Sequence, residues 1–436
     1  VYDTEKRYQQ LVPFVPGTST VWSGFALTNP QNATVEGVTL TTYEASGDPL
    51  HTVLGPLNLK PQQKMVFTLE ELGIRIHERM ESKTLLLMAE DRVNLLNLFG
   101  GIRNNSGMAC LNQRMSGSNR LVVPDTVPSD DFLTSMRGAV FNDALDNNAV
   151  QATVYHANGQ QHSFHESGLR SRERWNISPG MDPFFSVPEN GWIEWNSSRF
   201  ISGYQYINST YYNEKEALFA LPADNQNKYI LHIPQPDKWT TTLTLINVEN
   251  SENTLTVHPL NLGRDVSLDR QYTLSPKEKR TIDLGELAAS GDYGTTFRSL
   301  LQVSGNGDFA GYYQYGTGAD PAAFPLFPAA HLKRELVMPH VADPDTWWNG
   351  IVLGNFAQSR VAVEVAGYDQ DGERIASLEP ELLILPGEYR VFQLRELFSW
   401  EELLDLSHVA FRSSNSRLCG LYLYGQGVDM LAGSNM

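Results

Sequence analysis

The chain is poor in cysteine. Two among 436 residues exclude a disulfide-rich scaffold and a four-cysteine metal site. It is also short of positive charge. Thirty-three Lys and Arg stand against 50 Asp and Glu, and the formal net charge of −17 makes nucleic acid an unexpected partner, because phosphate backbones would be repelled. Long apolar runs are missing too. Leu85-Leu86-Leu87-Met88 is strand-sized, far below the roughly 18 residues of a membrane helix. No HExxH pair and no Gly-x-Ser-x-Gly elbow occurs. The glycine-rich stretch Gly305-Asn-Gly307-Asp-Phe-Ala-Gly311 precedes a predicted strand, whereas a phosphate loop must open a helix. The chain begins Val1-Tyr-Asp-Thr with neither a start methionine nor a signal peptide, so we expect a processed chain of an exported protein.

What is present is an ordinary globular composition, 41% hydrophobic and 10% aromatic, at a length that allows two to four domains of roughly 100–200 residues each. It is organised as a divergent repeat. Trp-x-Gly-x-x-Leu-x-Asn occurs as Trp22, Gly24, Leu27, Asn29 and again as Trp348, Gly350, Leu353, Asn355. The same slot reads SMRGAVFN up to Asn142 and TTTLTLIN up to Asn247, so the four asparagines stand 113, 105 and 108 residues apart. Turn glycines follow at Gly47, Gly159, Gly263 and Gly372. A Pro-x-x-(Lys or Tyr) step then leads to Leu and Glu-Leu: Pro61 to Leu72, Pro276 to Leu287 and Pro386 to Leu397. Last comes a glycine that opens an aromatic strand, as in Gly203-Tyr-Gln-Tyr206, Gly311-Tyr-Tyr-Gln-Tyr315 and Gly420-Leu-Tyr-Leu-Tyr424.

These landmarks define an arm at 1–10 and four units at 11–115, 120–222, 228–328 and 335–436. The second is divergent, since no Glu-Leu follows Pro179-Gly180. Within a unit the apolar period is two, as in Val38-Thr-Leu-Thr-Thr-Tyr43 and Val361-Ala-Val-Glu-Val365, which predicts strands with one face inward and one toward water. Asn158-Gly159 and Asp371-Gly372 supply the positive φ angles of tight hairpins. The expected fold is therefore all-β: four tandem antiparallel β-sandwich (Ig-like) domains. The Leu-x-Glu-Leu segments, Thr68–Leu72 and Leu394–Phe398, are expected as short capping helices.

This pattern resembles the tandem β-sandwich repeats of secreted bacterial surface proteins and covers nearly all of 11–436. The resemblance implies an extracellular, modular, non-enzymatic protein and transfers no functional residues.

Candidate chemistry is sparse. His156, His162 and His165 have loose ligand-like spacing, but they lack the carboxylate or cysteine that a zinc site wants. Asp369-Gln-Asp371-Gly372-Glu373 begins like a calcium loop, yet its twelfth position is Pro380 in place of the bidentate Glu, so a plain turn is expected. Surface calcium near Asp343 and Asp345 is the remaining cation reading. Five sequons, at Asn32, Asn104, Asn176, Asn196 and Asn208, are near chance.

The tryptophans are the better lead. Trp22 and Trp348 share a slot and are expected to fill a sandwich end. Trp347 should then point the opposite way, outward. Trp192 aligns with Leu300 and Val409 and reads as core, whereas Trp195 aligns with Val303 and Arg412, leaving its exposure open. Trp347 and Trp195 are the candidate contacts for a ligand or partner. Cys110 and Cys419 could pair only if the first and last units meet. No catalytic, cofactor or resident metal residue is assigned.

The functional expectation is a non-catalytic structural or adhesive protein, secreted or held at the bacterial cell surface, that works through protein contacts or self-assembly. An alternative is carbohydrate binding through Trp347 and Trp195. A third is a hydrolase with its site around the histidines of the second unit. The arm at 1–10 is a candidate strand donor to a neighbouring molecule.

Overall fold

The computed structural model describes residues 8–15, 21–74, 83–101, 108–112, 118–127, 134–142, 146–177, 185–209, 215–234, 239–260, 269–285, 299–316, 322–328, 332–414, 417–426 and 430–436. The protein is all-β, built of seven sheets whose strand pairs are antiparallel. Among the described residues every strand ladder closes within one of four stretches, 8–112, 118–222, 228–328 and 335–435, here called quarters.

In the first quarter, Tyr8–Val15, Lys83–Ala89, Val35–Tyr43 and Pro49–Leu59 form one sheet. Lys64–Thr68, Val21–Thr28, Asn94–Gly101 and Met108–Asn112 form the other. Their facing side chains make one apolar cluster, with Val12, Val38, Leu40, Leu85 and Leu87 against Phe25, Leu27, Phe67 and Leu95. The third and fourth quarters repeat this two-sheet order. The second differs. Its Trp192–Ser209 strand runs 18 residues without a break, pairing first with Asn148–Tyr155 and then with Thr134–Asn142, and so joins both layers into one eight-stranded sheet.

The Asn landmark has a direct physical cause. Asn29, Asn142, Asn247 and Asn355 are fully buried where two hairpin ends meet. The Asn247 amide donates to Ser251 O, Leu274 O and Ser275 O at 2.9, 3.2 and 2.8 Å. Asn29 and Asn142 each make the same three bonds, and Asn355 bonds Ser359 O and Ile384 O. Carbonyls at the hairpin ends are thereby paired inside the protein.

Among the described residues a short helix follows the Pro-x-x turn completely in the fourth quarter alone. Leu394–Glu396 is a 3-10 turn, and Trp400–Asp405 is a helix opened by a capping box between Ser399 and Glu402. In the first quarter 69–73 is a hydrogen-bonded turn instead, with Thr68 Oγ1 and Glu71 bonded to each other. Leu284 and Gly285 begin a helical turn, but Glu286, Leu287 and Pro179 lie outside the described residues. The supposed arm is partly strand, since Tyr8–Gln10 pair with Leu87–Ala89.

The prediction of one wet face per sheet fails at many strands, because neighbouring quarters cover the second face. Leu85 and Leu87 point into the first quarter, whereas Leu86 joins Leu11, Phe99, Phe141 and Tyr204 between the first and second. Leu121 and Val123 are interior, whereas Val122 meets Ile246, Ala310 and Tyr312 of the third quarter. Val352 and Leu421 of the fourth pack with the interior of the third. Ala26, Leu96 and Leu98 of the first pack with Leu336, Leu353 and Tyr422 of the fourth. The quarters therefore close a ring. At its centre the strand Met108–Asn112 lies against Lys215–Phe219 and Met430–Asn435, and Ala322–Pro325 lies against the same two.

Candidate functional site

The features that set this protein apart lie at the junctions of the ring, and each is built from the repeated turns. Gly47, Gly159 and Gly372 have φ of +85°, +88° and +90°; Gly159 and Gly372 abut the Pro-x-x turns of the third and first quarters, and Gly47 abuts the proline-free turn Ser171-Arg172-Glu173 of the second. A Cβ on Gly159 would sit 2.2 Å from Pro276 O, and one on Gly372 the same distance from Pro61 O. Glycine is thus required both for the left-handed backbone and for the close approach. The receiving turns hold Gln62, Arg172 and Lys277 at positive φ. Gly263, the fourth such glycine, lies outside the described residues.

The last residue of Pro-x-x-(Lys or Tyr), together with Arg174 in the same slot, reaches back across the junction. The backbone N–H groups of Arg174, Lys279 and Lys64 donate to Ala45, Ala157 and Gln370 of the preceding quarter at 2.9, 2.8 and 3.0 Å. The side chains follow. Arg174 reaches Thr84 at 3.3 Å, and Tyr389 donates to Ile233 O at 3.1 Å. Lys279 pairs with Asp125 and donates to Gly191 O at 3.3 Å. Lys64 donates to Ser407 O at 2.6 Å and meets His340 Nδ1 at 2.9 Å.

The junction between the second and third quarters is the most charged. Glu194, nearly inaccessible, takes Arg120 at 2.7 Å and Lys277 at 2.9 Å. Arg120 extends to Asp308 at 3.2 Å. Tyr155 donates to Glu194 at 3.3 Å and stacks on Trp192, whose indole N–H donates to Lys277 O at 3.1 Å. Burial, and then the Glu194 carboxylate, push the Tyr155 phenol up to about 12. These groups satisfy one another, so the arrangement fixes the geometry of the junction.

The residues singled out in the sequence fare differently. Trp195 is completely buried, edge-on to Trp175 at 4.9 Å, and cannot stack on a ligand. The sequence alignment was one residue out of register at this strand. Tyr155 pairs with Trp192 and Tyr368 with His408, which sets Trp195 opposite Phe411, a core position, in place of Arg412. Trp347 precedes the strand Trp348–Asn355, so strand alternation does not govern it. Its backbone N–H donates to Asp343 O at 2.8 Å, and its half-buried ring packs on the core of the fourth quarter. Trp22 is more exposed than expected, at 37%, while Trp348 is half-buried over Gly350 and Gly425.

Cys419 is a free, fully buried thiol directed at Gly354 O and packed toward the third quarter, which overturns its pairing with Cys110. Cys110 lies in the strand Met108–Asn112, and its side chain is outside the described residues.

His156 and His162 touch through ring nitrogens at 3.2 Å, and His162 also meets Ser186 at 2.9 Å. His165 turns to Ser163 and stacks on Phe185. Asp343 and Asp369 accept backbone N–H groups of their own turns, from Asp345 and Glu373. Among the described residues no three His, Cys, Asp or Glu side chains converge in a way that could hold a metal ion. Nor is any described helix long and apolar enough to cross a membrane, which says nothing of strands.

The crossing side chains were missed as a site, although the Pro-x-x-(Lys or Tyr) landmark contains them. No protein-family model and no curated protein matches the chain. Among solved structures it is similar, at 11% identity and a TM-score of 0.12, to one described as a tetra-tandem repeat in the extending region of a large adhesion protein, over 93% of this chain and 91% of that one. It is also similar at 10% identity and a TM-score of 0.12 to a Bacteroides uniformis β-glucuronidase, over 49% of this chain and 26% of that one. Likenesses of this size carry no argument about fold or function.

Proposed function

We propose that the protein is a non-catalytic structural or adhesive component, exported to a bacterial surface, that acts as one rigid ring through contacts with other proteins or with copies of itself. Each quarter is read as one Ig-like β-sandwich module. The observation that supports this reading is where the repeated residues go: asparagines into the hairpin ends, and glycines and crossing cations into the junctions. A four-module body locked at each interface has the rigidity a scaffold needs.

The outward edges are the natural contact surface. Pro49–Leu59 and Gln161–Leu169 are edge strands of their sheets, with Leu50 38% and Phe164 50% exposed. Unpaired edges carrying apolar side chains invite strand addition. Light scattering over a concentration series tests this. Association should occur and should be lost in the Leu50→Lys/Phe164→Lys double variant. A chain that stays monomeric but binds soluble polysaccharide, and loses that binding in Trp347→Ala, would instead establish glycan recognition.

A further inference from the structure

The first and fourth quarters meet without a covalent connection between them, and their junction differs chemically from the charged one across the ring. Lys64 and Lys279 occupy the same slot, since Thr28 pairs with Lys64 as Ile246 pairs with Lys279, each just before a landmark asparagine. Both lysines reach the same two positions of the preceding quarter. Lys279 finds Gly191 O and the carboxylate of Asp125, which follows Pro124. Lys64 finds Ser407 O and the imidazole of His340, which follows Pro339. The counterpart of Trp192 is a second buried histidine, His408, stacked on Tyr368 at 5.2 Å. One junction therefore pairs its buried cation with a carboxylate, and the other sets it against two imidazoles.

Among the described residues no carboxylate pairs with Lys64, whose partners are Ser407 O and His340. His340 carries the Tyr424 hydroxyl on its backbone oxygen at 2.6 Å. Beyond His408, Arg412 is committed to Glu335 at 2.7 Å and to Tyr368 at 2.8 Å. Like charge recurs further along the same junction. Lys333 of the linker into the fourth quarter feels Arg92, which occupies the slot where the third quarter has Asp308. Asp308, in contrast, binds Arg120.

We infer that the junction between the fourth and first quarters is an acid-released latch: protonation of His340 and His408 beside the buried Lys64 ammonium opens the ring there while the Asp125–Lys279 junction holds. The direction follows from linkage. Burial and the neighbouring Lys64 push both imidazoles down to about 3, and burial lowers Lys64 to about 7. Bases held below their ordinary values favour the closed ring when neutral. The share of closure held by the two histidines is therefore complete above their free value of 6.5 and is lost as pH falls from there toward 3, whereas the share held by Lys64 is already lost between 10.5 and about 7. At pH 4.5 each histidine shifts the equilibrium toward opening by about a hundredfold.

Small-angle scattering on the full chain, with far-ultraviolet circular dichroism in parallel, tests the latch. The radius of gyration should rise reversibly between pH 7.5 and 4.5 with the strand signal retained. His340→Asp, which copies the Asp125 junction, should stay compact at pH 4.5. Asp125→His, which copies the latch, should create a second acid-labile junction and a larger expansion than the parent. The inference is overturned if the parent stays compact at pH 4.5, if His340→Asp expands as the parent does, or if strand signal is lost together with compactness. Should His340→Asp fail to fold, the Asp125→His comparison decides alone, and expansion equal to the parent's would then refute the latch.

Discussion

Substituting Asn247 by Ala isolates the device on which every quarter depends. Three carbonyls lose the amide donor, at 2.8 to 3.2 Å. Leu274 is fully buried, so its oxygen is left without water as well as without a partner. That costs about 1–3 kcal/mol. Ser251 and Ser275 are exposed and can be rehydrated, so each loses only the net worth of a hydrogen bond, about 0.5–1.5 kcal/mol. The sum is about 2–6 kcal/mol, most of it local to the third quarter. Urea unfolding followed by circular dichroism should show a lower midpoint with an unchanged slope. A loss under about 1 kcal/mol would mean that the asparagine is not what satisfies those carbonyls. Asn247→Asp sharpens the test, because a carboxylate there faces three carbonyl oxygens. Its pKa should rise above the free value, so the extra cost is present at neutral pH and shrinks as pH falls through the raised value. A variant whose stability does not recover in mild acid would refute the geometry.

Gly159→Ala should loosen the junction between the second and third quarters by more than about 1 kcal/mol, because it adds both left-handed strain and a clash with Pro276 O. Faster amide exchange at Lys279 than at Arg174 would report it. Glu194→Leu leaves Lys277 and Arg120 without their shared carboxylate and should cost about 3–5 kcal/mol, far more than Arg170→Ala at an exposed pair. Trp195→Ala opens a cavity beside Trp175 and should cost about 3–5 kcal/mol in thermal unfolding. Its effect on any polysaccharide affinity should be nil.

The repeat was legible because its residues obey local rules. Asn158-Gly159 and Asp371-Gly372 close the hairpins that their turn chemistry predicts, and the period of two in Val361-Ala-Val-Glu-Val365 reappears as alternation of buried and half-buried side chains. Trp195 was misplaced by a one-residue slip, and a slip of one exchanges the faces of a strand. The short helices were overread because Leu-x-Glu-Leu is compatible with either a turn or a helix. Only the fourth quarter adds Ser399 and Glu402 to cap one.

Composition and spacing by themselves determined an all-β chain of repeated strands, since turn chemistry and alternation act within a few residues. The tertiary structure decided that the repeats close on themselves. Leu86, Val122 and Ile246 look like ordinary strand residues, and nothing near them in the chain names the surface that covers them. Contacts between residues hundreds of positions apart, such as Lys64 with Ser407, depend on where whole sheets come to rest, and that is set by the sum of all the junctions.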